Sequence, residues 1–270
     1  MTKPLPANEH LGGEPANPSG DSSAPWQTEE SRIRQAYARR ADPLRYSWFD
    51  RAHLLASQET ERAILGALAR HGRTRSQSLQ LLEIGCGRGV WLREFIKWGA
   101  SPEKVHGIDL IAERIADARR LCPAEMTLRC GNAAQLDYPD GRFDLVWQSM
   151  LFTSVLDADL RRTIAREMVR VLRPGGLILW YDYHVNNPRN RDVRGVPRRE
   201  IQQLFPDCDL ELERLTLAAP LARWLASRSH VGMGIARAVP WLTTHYLGVI
   251  RPRHHSLDHT AASDSTGAHA

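Results

Sequence analysis

Between residues 79 and 182 the chain alternates short apolar runs with stretches in which apolar side chains recur every three or four positions. The runs "LQLLEI" (79–84), "KVHGID" (104–109), "MTLRC" (126–130), "FDLVWQ" (143–148) and "GLILWYD" (176–182) are bounded by Gly, Pro or Asp, the pattern of buried strands in a parallel sheet. Most are separated by a helical stripe. Trp91, Leu92, Phe95 and Ile96 form one, "IAERIADARRL" carries a second, and Ile164, Met168, Val171 and Leu172 form a third ahead of a Pro-Gly-Gly turn. Such alternation predicts right-handed crossovers and an α/β, doubly wound, mostly parallel sheet. Downstream, the pattern predicts a short helix in "PRREIQQLF", a strand near "DLELERLTL", an Arg-interrupted helical region from Ala219 to Leu242 and a last strand "THYLGVI", with an antiparallel final pair.

Residues 27–75 predict an N-terminal helical cap of two or three helices, with Ile64, Leu65 and Leu68 on the apolar stripe and Gly72 as a stop. Aromatic side chains at this density pack helices against sheets, which is the expectation for Trp48 and Phe49. Residues 1–26 and 251–270 are rich in small and polar residues and are expected to be disordered tails around one domain over 76–250.

Charge changes the picture little. The net charge of +5 and pI near 9.3 invite a nucleic-acid or anionic-membrane reading. The basic residues are nearly all Arg, however, with Lys only at Lys3, Lys97 and Lys104, and they are spread along the chain as on solvated helix faces. Cys86, Cys122, Cys130 and Cys208 show neither metal-ligand spacing nor a disulfide framework, which fits a reducing cytosol and predicts no metal site. The N-terminus lacks the basic start and apolar stretch of a signal peptide, and no run approaches the roughly 20 apolar residues of a membrane span. A cytoplasmic protein without integral membrane association is expected.

The candidate chemistry begins at "LLEIGCGRGV" (81–90). Gly85, Gly87 and Gly89 follow a strand and open a helix, where the chain turns sharply and a ligand approaches backbone closely. A dinucleotide fingerprint places a small third residue where this chain has Val90, and Glu83 just before the loop repels a pyrophosphate while suiting a cationic amine. Asp109 closes the next strand, either to meet ribose hydroxyls or to cap the helix that follows.

Together, "LLEIGCGRG", "VHGIDL", "FDLVWQSMLF" and "VRVLRPGGLILWYD" resemble the core motifs of class I S-adenosylmethionine-dependent methyltransferases, over about residues 79–183, with most similarity to the small-molecule branch that includes quinone-biosynthesis enzymes. The resemblance implies a seven-stranded Rossmann-like sheet and S-adenosylmethionine as cofactor. It places Glu83 and the Gly85, Cys86, Gly87 and Gly89 backbone at the methionine end, Asp109 on the ribose, Leu110 beside the adenine, Asn132 and Ala133 at its amino group, and Gln148 and Ser149 by the methionine. Tyr37 and Tyr46 of the cap are further candidates for the methionine carboxylate or the acceptor.

For the chemical step, "WYDYHVNN" offers His184 as a general base, with Asp182 or Tyr183 to orient it or line the pocket. The Arg-rich stretch 184–200 offers Arg189, Arg191 or Arg194 to grip an anionic acceptor. A small-molecule methyltransferase is therefore expected. Its rivals are a nucleic-acid methyltransferase, for which "QSMLF" lacks the Asn/Asp-Pro-Pro-aromatic signature, a nicotinamide oxidoreductase, which lacks a Tyr-x-x-x-Lys pair here, and a non-catalytic S-adenosylmethionine-binding protein. The apolar and Arg-bearing stretch 217–242 is either packing or an amphipathic surface for a lipid-like acceptor.

Overall fold

A computed structural model describes residues 26–39, 47–187, 190–226, 228, 236 and 239–253. Seven strands form one sheet in the order β3-β2-β1-β4-β5-β7-β6. Strands β1 (Leu81–Ile84), β2 (Val105–Asp109), β3 (Thr127–Cys130), β4 (Phe143–Ser149) and β5 (Leu172–Tyr183) run parallel, and β7 (Thr243–Pro252) lies antiparallel between β5 and β6 (Cys208–Leu217). The chain order reverses between β1 and β4. Helices leave both sides of that point in opposite directions, and the carboxyl edge there opens into a crevice for ligands.

Alternation along each strand builds two cores. Leu82, Ile84, Val146, Ile178 and Trp180 face one side, where they meet Ile33 of α1 (Gln27–Ala38), Ile164 and Met168 of α5 (Ala158–Val171) and Ile201 of α6 (Arg198–Leu204). Leu81, Leu145, Trp147, Leu177 and Leu179 face the other. There they meet Ile64 and Leu68 of α2 (Arg51–Arg70), Leu92 and Phe95 of α3 (Val90–Lys97) and Ile115 of α4 (Ala112–Leu121).

The expected cap is therefore divided. Helix α2 is a flanking layer of the sheet, and only α1 crosses the carboxyl edge. Glu29 on α1 accepts from the Leu156 and Asp157 amides, Arg32 donates to the Ser154 carbonyl at 2.5 Å, and the Tyr37 hydroxyl lies 3.2 Å from Ser154 Oγ. Within α2, Leu65 falls on the exposed side while Ala67 takes its place in the core. Trp48 and Phe49, expected to pack, are exposed.

Helix α5 ends at Val171, and the Arg173-Pro174-Gly175 segment joins β5 as an irregularity, the register to β4 slipping between Phe143 and Leu145. Of the helical region after β6, the described part holds α7 (Ala219–Ala226) and a single turn at Pro240–Leu242. Leu217 pairs with Thr243, and Tyr183 with His245, so the chain leaves β6 and enters β7 at the same carboxyl edge as the glycine loop.

One buried cation secures this edge. The Arg161 side chain on α5 is wholly buried, with Nε donating to the Val155 carbonyl at 2.5 Å and Nη1 meeting Glu200 of α6. Its removal leaves the buried Val155 carbonyl without its donor and Glu200 with Arg194 as its remaining partner, so Arg161→Leu is expected to cost about 3 kcal/mol of unfolding free energy in urea titrations. A change below about 1 kcal/mol would show that the network does not hold the edge together.

Candidate functional site

The loop from Ile84 to Val90 leaves β1 with φ of 73° at Gly85, 53° at Gly87 and 71° at Gly89, all in the left-handed region open to glycine. Two of these positions are also packed by the protein itself. A Cβ on Gly87 would stand 2.6 Å from the Arg114 guanidinium, and one on Gly89 would stand 2.5 Å from Cys122 Sγ. The glycines are thus required for backbone sign and internal packing together.

The loop spends its donors internally. The Gly85 and Cys86 amides donate to the Ile108 carbonyl at 2.8 and 3.0 Å, Gly87 N–H to Asp109 Oδ2 at 2.8 Å, and Gly89 N–H to the Cys86 carbonyl at 2.8 Å. Little donor capacity is left for phosphate oxygens, and this argues against a dinucleotide better than residue 90 does. Val90 points to solvent, so its size does not limit how closely α3 packs. The Cys86 side chain lies in the core against Gly107, with its thiol pushed up by burial, so only its backbone belongs to the loop.

Two carboxyl groups sit under this loop. Asp109 is buried, and its other oxygen accepts from Ile111 N–H at 2.9 Å; the residue at the helix N-cap is Ile111, so Asp109 braces the loop rather than capping α4. Glu83 is buried beside it, and its Oε2 has no hydrogen-bond partner. Burial first, and repulsion from Asp109 second, raise the Glu83 carboxyl well above its ordinary range, against the pull of the Leu92 amide and the Arg114 guanidinium. A buried carboxyl oxygen without a donor, next to a second acid, suits an incoming cation.

Around this pair the expected residues gather on the α1 side. Leu110 and Ala133 are half-buried against the core that α1 covers. Asn132 accepts from Ala134 N–H at 2.8 Å and donates to Glu30 of α1 at 2.6 Å, so it ties the cap to the loop after β3. The Tyr37 ring lies beneath the Arg114 guanidinium, 4.7 Å from its centroid. Gln148 is buried at the end of β4, accepts from Leu151 N–H at 3.2 Å and leaves Nε2 unpartnered, while Ser149 is half-buried beside it. Met150 follows in the left-handed region at φ 60°, a cost of about 1 kcal/mol or more at the mouth of the crevice. Tyr46 and Arg189 lie outside the described residues.

The acid–base trio is split by strand alternation. Tyr183 turns to the α2 side, its ring 4.0 Å from His245, whereas the His184 ring packs 4.4 Å from Tyr246, a residue of the opposite core. Asp182 is fully buried and accepts from Thr153 Oγ1 and from the Thr153 and Tyr183 amides. It fixes the turn after β4 and does not orient His184. Burial and the Arg214 guanidinium hold the His184 imidazole below its usual range, and its buried Nε2 has no partner. Arg194, expected to grip an anion, pairs with Glu200 at 2.8 Å, while Arg191 is exposed.

Residues 81–176 match the family described as a methyltransferase domain. Over those residues the chain carries a methyltransferase domain. It is 26% identical over 229 residues to a 2-methyl-6-phytyl-1,4-hydroquinone methyltransferase of Synechocystis, covering 78% of this chain and 70% of that one. It is 27% identical over 195 residues to a sterol 24-C-methyltransferase of Aspergillus fumigatus, covering 62% and 50%. It is 30% identical over 153 residues to norajmaline N-methyltransferase of Rauvolfia serpentina, covering 54% and 50%, so the chain spans only half the length of these last two relatives.

In fold, the structure resembles geranyl diphosphate C-methyltransferase of Streptomyces coelicolor, with TM-score 0.59 at 16% identity over 86% of this chain and all of that one. It also resembles an S-adenosylmethionine-dependent methyltransferase of Mesorhizobium loti, with TM-score 0.50 at 20% identity over 70% of this chain and 98% of the other. The methyltransferase domain match runs from β1 to the start of β5, so it spans the glycine loop, Glu83 and Asp109 and stops short of His184, β6 and β7.

Two residues of the methyltransferase crevice were missed in the sequence. Arg114 lies one helical turn into α4, where it reads as surface charge, yet its guanidinium reaches back over the glycine loop to Tyr37. His245 opens β7, stacks on Tyr181 at 4.7 Å, and burial drives its imidazole down to about 3, which keeps it neutral. The pairing of Tyr183 with His245 was the signal that would have found it, and that pairing is tertiary.

Burial raises the Asp182 carboxyl from 3.8 to about 7. The folded state then holds this proton more tightly than the unfolded chain, so stability present below about pH 4 is lost as pH rises toward 7. Urea unfolding midpoints are expected to fall across that window, and Asp182→Asn is expected to flatten the decline. A rise in midpoint over the same range in the parent chain would contradict the assignment.

Proposed function

We propose that the protein transfers a methyl group from S-adenosylmethionine to a small acceptor with an apolar tail, and that the crevice between β1 and β4 is the cofactor site. The observation that carries this is the unpartnered Glu83 Oε2, buried next to Asp109 beneath a loop whose Gly85, Cys86, Gly87 and Gly89 N–H groups are already used. In this reading Glu83 accepts from the methionine ammonium. Asp109 keeps Gly87 and Ile111 in place and turns its remaining acceptor capacity to the ribose hydroxyls. Leu110 and Ala133 flank the adenine, and α1 closes over it through Tyr37 and Asn132.

When bound, S-adenosylmethionine supplies an electrophilic methyl group. Methyl transfer is an in-line displacement, so the protein contributes alignment and the exclusion of water. Gln148, Ser149 and the strained Met150 turn set the floor on which the acceptor lies, and Asp182 fixes that turn from behind through Thr153. If the acceptor is a hydroxyl, His184 takes its proton at Nε2; the lowered pKa keeps the imidazole neutral and ready at neutral pH. The apolar tail is supported by the phytyl-hydroquinone and sterol methyltransferases among the relatives.

Titration of the protein with S-adenosylhomocysteine by calorimetry tests the site. Glu83→Gln is expected to lose about 1.5–3 kcal/mol, on the order of ten- to hundredfold in affinity, because a charge-assisted hydrogen bond is replaced by a neutral one. Because pairing with an ammonium lowers a carboxyl pKa that burial has raised, the parent protein should release protons on binding over the pH range in which its free Glu83 carboxyl is protonated, read from the dependence of the heat on buffer, and Glu83→Gln should not. Equal affinity and equal proton release in both proteins would remove Glu83 from the site.

For the chemical step, transfer of labelled methyl to prenylated hydroquinones is the direct assay. With a hydroxyl acceptor, His184→Ala should lower kcat by about a hundredfold or more while cofactor affinity stays unchanged. Full turnover in that variant would exclude His184 as the base.

A further inference from the structure

The chain between β6 and β7 is unusual in charge. From residue 218 to residue 242 the sequence contains no Asp or Glu, while Arg stands at 223, 228 and 237. Its described part builds a small third core, in which Leu217, Ala222, Leu225 and Leu242 pack against Ala52 and Leu55 of α2.

Around that core the large aromatic side chains point outward. Phe49 is 100% exposed, Trp241 81%, and Trp48 and Trp224 54% each, and among the described residues these are all the exposed Trp and Phe side chains. They come from three separate segments, which the fold brings together: Arg223 of α7 reaches Asp50 at the start of α2 at 3.7 Å, and Ala218 N–H donates to the Leu242 carbonyl at 2.9 Å. Arg223 and Arg228 are exposed among them, with the Arg228 guanidinium 4.8 Å over the Trp224 ring. Indole rings with an apolar body and a polar tip, interspersed with arginine and free of acids apart from the paired Asp50, match the interface of an anionic bilayer in both polarity and charge.

Its position gives this face a use. The chain leaves β6 for α7 and returns at Trp241 and Leu242 on the carboxyl edge of the sheet, the edge onto which the proposed cofactor crevice and His184 open. We propose that the face formed by Trp48, Phe49, Trp224 and Trp241 docks on an anionic lipid surface and so presents the crevice to an acceptor dissolved in the bilayer. The docking stands on the exposed aromatic and arginine side chains alone; the acceptor half rests on the methyltransferase reading above. Association is interfacial, since no helix among the described residues is long and apolar enough to cross a membrane.

Co-sedimentation of the full chain with vesicles tests the docking. Vesicles of phosphatidylcholine and phosphatidylglycerol at three to one are expected to retain the protein about tenfold better than phosphatidylcholine alone, with the difference shrinking in high salt. The double variant Trp224→Ser/Trp241→Ser should lose most of this retention, whereas Trp241→Phe should keep it. S-adenosylhomocysteine affinity, measured on the same proteins, should be unchanged in all of them, which separates failure of docking from failure of the fold or of the cofactor site. The proposal is overturned if the parent protein ignores anionic vesicles, or if the double variant binds them as well as the parent. It is equally overturned if the parent forms a dimer that Trp241→Ser dissolves without any lipid binding, since the face then belongs to a second copy.

Discussion

The site depends on one hydrogen bond, from the Gly87 amide to the Asp109 carboxylate, with the companion bonds from Gly85 and Cys86 to the Ile108 carbonyl. They clamp the end of β1 to the end of β2 and hold the loop in a left-handed path that only glycine enters without strain. The cost is electrostatic. Parallel pairing in register brings Glu83 opposite Gly107, two residues from Asp109, so two acids share one dry edge of the sheet. Asp109 is compensated by backbone donors, whereas Glu83 Oε2 has no hydrogen-bond partner among the described residues, and the Leu92 amide and the Trp147 indole only partly offset the burial that raises its carboxyl. Burial of this kind favours the neutral acid, and an arriving cation favours the carboxylate.

The rest of the carboxyl edge is built to hold that arrangement still. Asp182 and Arg161 are both fully buried: one anchors the turn after β4, the other joins α5 to α6. They brace the ends of β4 and β5 as Asp109 braces the glycine loop. Helix α1 then bridges the loops after β3 and β4 through Glu29, Glu30, Arg32 and Tyr37, so the cap is tied by polar contacts to the elements it covers. A cover held mainly by hydrogen bonds and ion pairs opens at less cost than one held by a continuous apolar core.

The division between the matched domain and the remainder has a physical reading. Residues 81–176 contain the clamp, the two acids and the start of β5. His184, His245 and the exposed aromatic side chains around α7 lie beyond it. A scaffold that binds one common cofactor and varies its periphery reaches many acceptors without rebuilding its core.

Much of this was legible along the chain, because it rests on local rules. Alternating apolar runs and helical stripes specify parallel strands and their crossovers, and the spacing of Gly85, Gly87 and Gly89 after a strand specifies a ligand loop, since each depends on residues near in sequence. What the sequence withheld depends on pairings between distant segments. Strand alternation turned Tyr183 away from His184, burial spent Asp182 on Thr153, Arg114 folded back across the loop, and Trp48 and Phe49 stayed exposed at the surface where packing was expected. No periodicity records those outcomes, because each is decided by which side chain from another strand or helix occupies the space first.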